Sequence, residues 1–104
     1  MKHDSDSQRL SRIPRLLMRP LAVRRYVIPG HGSVEARLWR LARGSDDCAT
    51  RTPETVGYAV ELWGLGSHRF CLVEGDEAHA RRVFRLLVRN TVTPCGLRDV
   101  LEEL

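Results

Sequence analysis

RFCLVEGDEAHARRVFRLLVRNTVTPCGLRDVLEEL, residues 69–104, decides the fold of this chain. His68, Phe70 and Leu72 alternate with Arg69, Cys71 and Val73, the period of two expected of a half-buried strand. Gly75 and Asp76 break that alternation. Asp76 is placed to accept hydrogen bonds from the free amides of a helix start, and Glu77 adds negative charge at the positive end of the dipole. Ala80, Val83, Phe84, Leu87 and Val88 then recur at helical spacing, with Arg81, Arg82, Arg85 and Arg89 mostly off that face. Asn90 suits a helix stop. Thr93-Pro94 begins a second helix with a cap residue and a proline at the first helical position. Leu97, Val100, Leu101 and Leu104 give that helix its own apolar stripe. Neither helix is long enough to persist alone, so both need a sheet to cover.

Working backwards, Val56–Trp63 places Val56, Tyr58, Val60 and Leu62 on one face, and Gly64-Leu65-Gly66-Ser67 turns it into the strand at His68. Two alternating runs joined by so short a loop form a β-hairpin. Val34–Arg43 suits either strand or helix by composition; the turn before it and the strands after it favour strand. Pro29-Gly30-His31-Gly32-Ser33 is a turn, Leu21–Ile28 is rich in β-formers, and the polar residues 44–55 form a loop. Strands followed by helices define an α+β fold: a small antiparallel sheet of three strands, four with Leu21–Ile28 at an edge. Two C-terminal helices pack on one face. Residues 1–20 are expected as a basic, flexible arm, cut by Pro14 and Pro20, and residues 21–104 as one domain.

The net charge of +4 is unevenly placed. Lys2 and six arginines against Asp4 and Asp6 give the first 25 residues +5, which leaves the rest of the chain at −1. Arg9, Arg12, Arg15, Arg19, Arg24 and Arg25 are therefore the candidate contacts for an acidic partner or nucleic acid. Cys48, Cys71 and Cys95 include no Cys-x-x-Cys pair, and an odd count makes no disulfide framework; free thiols suit the cytoplasm. No segment has the length and apolarity to cross a membrane as a helix.

Tyr58-Ala59-Val60 and the closing Pro94-Cys95-Gly96-Leu97-Arg98-Asp99-Val100 resemble a family of short bacterial proteins of unknown function. That family carries Tyr-Gly-Ile in a strand and a closing Pro-x-His-Leu-x-Asp-Val segment. The resemblance spans residues 34–104; Ala59 stands in place of the glycine and Gly96 in place of the histidine. It implies a small α+β domain and no particular activity.

Candidate chemistry is sparse. Cys95 falls in the first turn of the closing helix, where amides stabilise a thiolate, yet the sequence specifies neither base nor oxyanion site for it. His68 and Cys71 lie three apart on a strand and point to opposite faces, and His79 has no second ligand at helical spacing, so no metal site is expected. The closing helix, with Arg98 against Asp99, Glu102 and Glu103, is too acidic for a DNA-recognition helix. Gly64-x-Gly66 sits between strands rather than before a helix and makes no phosphate loop. No enzyme activity and no cofactor are expected. The leading expectation is a protein-binding or regulatory module, or a homodimer, with Trp39, Trp63 and Leu65 as anchors. A nucleic-acid accessory protein acting through the arginine arm is the alternative.

Overall fold

The computed structural model describes residues 15–44 and 54–104, with side chains described from residue 17. Four strands form one antiparallel sheet in the order of the sequence: β1 (Arg15–Ile28), β2 (Gly32–Gly44), β3 (Glu54–Gly64) and β4 (Ser67–Val73). Helix α1 (Glu77–Arg89), a 3-10 turn (Pro94–Gly96) and helix α2 (Leu97–Glu103) follow. The fold is α+β, with both helices on one side of the sheet.

Alternation along the strands decides which residues meet the helices. Val34, Ala36 and Leu38 of β2 and Val60 and Leu62 of β3 are fully buried, joined by Tyr26, Tyr58 and Val73. Ala80, Val83, Phe84 and Leu87 of α1 and Leu97 of α2 close the core from the helix side. Each fully buried leucine contributes about 1.5–3 kcal/mol. Val56, expected on the same face as Tyr58, is exposed, because a bulge between Leu41 and Ala42 shifts the β2–β3 register beside it.

The turns follow from their residues. Pro29 and Gly30, the latter at φ +80°, form a type II turn closed by His31 N–H donating to Ile28 O. At the β3–β4 hairpin Leu65 and Gly66 both have positive φ, as a type I′ turn requires. Asp76 caps α1, accepting from His79 N–H at 2.9 Å. The far end of α1 is a Schellman cap: Val92 N–H donates to Leu87 O and Thr91 N–H to Val88 O, with Thr91 left-handed at φ +48°. Thr93 caps the 3-10 turn through Gly96 N–H.

One boundary is corrected. Residues 15–20, expected in the flexible arm, belong to β1, where Arg15 pairs with Gly44 and Pro20 with Trp39. Pro20 does not end the strand because β1 is an edge and the register shifts at Pro20/Ala22; a proline is tolerated at a bulge on an edge. Arg9, Arg12, Pro14, Cys48 and most of the expected loop 44–55 lie outside the described residues.

Helix α1 is also shorter than the strands it packs against. Strands of 13 and 14 residues run about 45 Å, whereas the 13 residues of α1 cover only about 20 Å. The molecule is accordingly elongated, 55 × 32 × 22 Å.

Candidate interaction surface

Opposite the helices, pairing brings four rows of side chains onto one open face. Val27 is opposite Ser33. Arg25, Glu35, Trp63 and His68 form one row, and Val23, Arg37, Glu61 and Phe70 the next. Pro20, Trp39, Ala59 and Leu72 form the third, and Met18, Leu41 and Gly57 the last. The side chains respect this arrangement. Glu35 accepts from Arg37 at 2.9 Å and from Arg25 at 3.1 Å, and these two bonds hold its carboxyl below the ordinary glutamate range. Glu61 accepts from the Trp39 indole N–H at 3.1 Å and contacts His68 Nε2 at 2.6 Å. The Trp63 ring leans on His68, with centroids 4.4 Å apart.

In the first two rows the middle strands are polar and internally paired through Glu35, Arg37 and Glu61. In the last two they carry Trp39, Leu41, Ala59 and Gly57, with Leu41 and Ala59 buried, and exposed apolar bands flank both sides. Trp63 (61% exposed), Phe70 (42%) and Leu72 (68%) form the band on β3 and β4. Met18, Val23 and Val27 form the exposed band on β1. Monomeric surfaces scatter such residues singly; gathered into bands they mark a contact surface.

The two edges of the sheet are blunter. No backbone hydrogen bond among the described residues joins the outer side of β1 or β4 to another segment. Even so, β1 carries a proline and a bulge, and β4 is only seven residues long and is flanked by α2, devices that discourage strand addition.

Of the residues expected as anchors, Trp63 is exposed and Trp39 is half-buried with its indole N–H bonded, both on the open face. Leu65 is not: it folds back onto the core, because its turn conformation directs it towards Gly32. Phe70, Leu72, Val23 and Val27 were not expected at this surface. A signal for the β4 pair existed, since a two-residue turn at Leu65-Gly66 fixes Phe70 opposite Glu61 and Leu72 opposite Ala59. Among the described residues, the arm arginines Arg19, Arg24 and Arg25 do not share one face. Arg15 and Arg19 are in β1, where Arg19 pairs with Arg40 on the helix side. Arg24 also lies on the helix side, while Arg25 is on the open face, held by Glu35.

Cys95 is exposed in the 3-10 turn, its sulfur 3.4 Å from Ser67 Oγ, and Cys71 is half-buried; both are free thiols. Among the described residues no group of three His, Cys, Asp or Glu is arranged to hold a metal ion. No helix among them is long and apolar enough to cross a membrane. No family model, curated protein or solved structure matches the chain.

Proposed function

We propose that this chain is a protein–protein interaction module without a catalytic centre, working through the open face of its sheet, and that a second copy occupies that face. The observation that carries this reading is the pair of exposed apolar bands, Trp63–Phe70–Leu72 and Met18–Val23–Val27, with the paired side chains of Glu35, Arg37 and Glu61 between them. A dyad parallel to the strands lays the β1 band of one copy over the β3–β4 band of the other, the self-complementarity a two-fold interface needs. It also brings Arg25 and Arg37, towards β1, over the half that holds Glu61. With strands ~4.8 Å apart and a rise of ~3.3 Å per residue, the face offers about 700 Å², close to the ~800 Å² per partner of a standard interface. Free Cys71 and Cys95 are consistent with placing the module in the cytoplasm.

Sedimentation velocity across micromolar concentrations tests the reading. The full chain is expected to be a dimer, and Phe70→Asp and Val23→Lys each to be monomers with unchanged circular dichroism. Combining the two substitutions is expected to restore dimerisation, because the new charges meet across the dyad. A chain that stays monomeric at about 100 μM, well above the Kd of a standard interface, overturns self-association. Capture of a different protein, abolished by Phe70→Asp, would then assign the face to that protein.

A further inference from the structure

On the other side of the sheet, at the seam of β1 and α1, lies a cleft of about 300 Å³. Its floor is Ala22, Leu38 and Phe84, and its rim is Arg24 from β1 with Arg81, Arg85 and Arg89 from α1. The space exists because Ala22 sits opposite Leu38, and the bulge after Pro20 turns Ala22 and Arg24 towards the helix. Among the described residues no acidic side chain lines the cleft. Arg81 is tied to Glu77 one turn back, at 3.0 Å. Among the described residues Arg24, Arg85 and Arg89 have no carboxylate within ion-pair distance; Arg24 donates only to the neighbouring Val23 carbonyl.

The row 81, 85, 89 runs at four-residue steps along one side of α1, so it contains two like-charge neighbours, each of which disfavours the helix. Arg89 has a reason in the last turn, where cations complement the dipole. Arg85 and Arg24 have none of that kind, yet they line the same cavity, together with Phe84. Guanidinium groups match phosphate and carboxylate oxygens in pairs, and an apolar floor strengthens such bonds by excluding water. Several guanidiniums around one small cavity suit a doubly charged head better than a singly charged one. The volume is at the lower end of small-molecule sites.

We propose that this cleft binds a phosphate monoester of a small aromatic or aliphatic alcohol, the phosphate on Arg24, Arg85 and Arg89 and the apolar group over Phe84. The site is on the helix side of the sheet and does not depend on what covers the open face.

Isothermal titration of the full chain with phenyl phosphate, inorganic phosphate and benzyl alcohol, in low salt, tests it. Phenyl phosphate is expected to bind at least about tenfold more tightly than inorganic phosphate, and benzyl alcohol not measurably. Arg85→Glu, on the exposed side of a helix, should weaken phenyl phosphate by about tenfold or more without lowering the melting temperature. Ala22→Leu fills the cavity while keeping every charge; it should weaken phenyl phosphate by a similar factor and leave inorganic phosphate within about twofold. Equal affinity for the two phosphates, no binding by about 1 mM, or indifference to either substitution overturns the proposal. So does a single-stranded oligonucleotide that binds more tightly than phenyl phosphate and equally well to Ala22→Leu, which would assign the arginines to nucleic acid.

Discussion

The two faces of the sheet are made from the same strands, residue by residue. In β2, Val34, Ala36 and Leu38 are fully buried under the helices, while Glu35, Arg37 and Trp39 between them line the open face. The buried set belongs to the apolar cluster between sheet and helices. The open set spends its charges on one another, through Glu35 and Glu61, and its most exposed apolar members, Val27, Trp63 and Leu72, lie outside those pairs. The helix-covered face holds the fold together by excluding water. The open face is ordered by pairing within itself, so it keeps its shape with nothing on top of it.

The comparison breaks most sharply at Leu87. It is fully buried in α1, facing the sheet, and truncation leaves a cavity between two rigid layers. Leu87→Ala is expected to lower stability by about 2–5 kcal/mol in urea unfolding. A loss below about 1 kcal/mol would mean that the helix layer is not what stabilises the sheet.

Tyr26 joins the layers by a polar contact, its hydroxyl donating to Val92 O at 2.6 Å across the seam between β1 and the end of α1. Tyr26→Phe leaves that carbonyl without its donor and should cost about 1–3 kcal/mol. The pH dependence has a definite sign. Burial pushes the Tyr26 hydroxyl up to about 12, above its ordinary 10.0, so the folded state holds its proton after the unfolded state has lost it. Stability contributed this way is present below pH 10 and falls as pH rises towards 12. Tyr26→Phe should remove that alkaline loss; an unchanged alkaline limb would place its cause elsewhere.

How much of this was legible in the sequence differs between the faces as well. The helices, their caps at Asp76, Asn90 and Thr93, and the β3–β4 hairpin all follow from local spacing, because each is set by residues a few positions apart. The extent of β1 does not. Leu16, Leu17 and Met18 precede a proline, and only pairing with β2 shows that Pro20 sits at an edge bulge rather than at a strand end. The open face depended on the same missing information: Trp39 and Trp63 could be picked out singly, but their grouping with Phe70 and Leu72 needs the register of three strands. The arginines of α1 were legible as a charged side. Arg24 joins them only through the parity change at the bulge.

Thr91 tests the helix layer from the opposite direction. It holds the left-handed position of the α1 cap, at φ +48°, where a β-branched side chain crowds its own backbone. It is exposed, its hydroxyl donates to the carbonyl of the neighbouring Asn90 at 2.8 Å, and the cap's two hydrogen bonds come from the backbone, so the cap itself does not depend on the side chain. Thr91→Gly is expected to raise stability by about 1 kcal/mol, seen as a higher melting temperature. A decrease would show that the end of α1 takes its geometry from packing rather than from the cap.

The smallest effect is expected on the open face, and its size is what separates the two regions. Leu72 is already 68% exposed, opposite Ala59, so Leu72→Ser removes little buried area from a single chain. At high dilution its unfolding free energy should change by less than about 0.5 kcal/mol, as for other surface substitutions. At high concentration the expectation differs. If a second copy covers this face, the melting temperature of the unaltered chain rises with protein concentration, because folding is then linked to association. Leu72→Ser should flatten that rise while leaving the dilute value in place. A loss at high dilution comparable to that of Leu87→Ala would instead make the open face part of the core, and the division of labour between the two faces would fail.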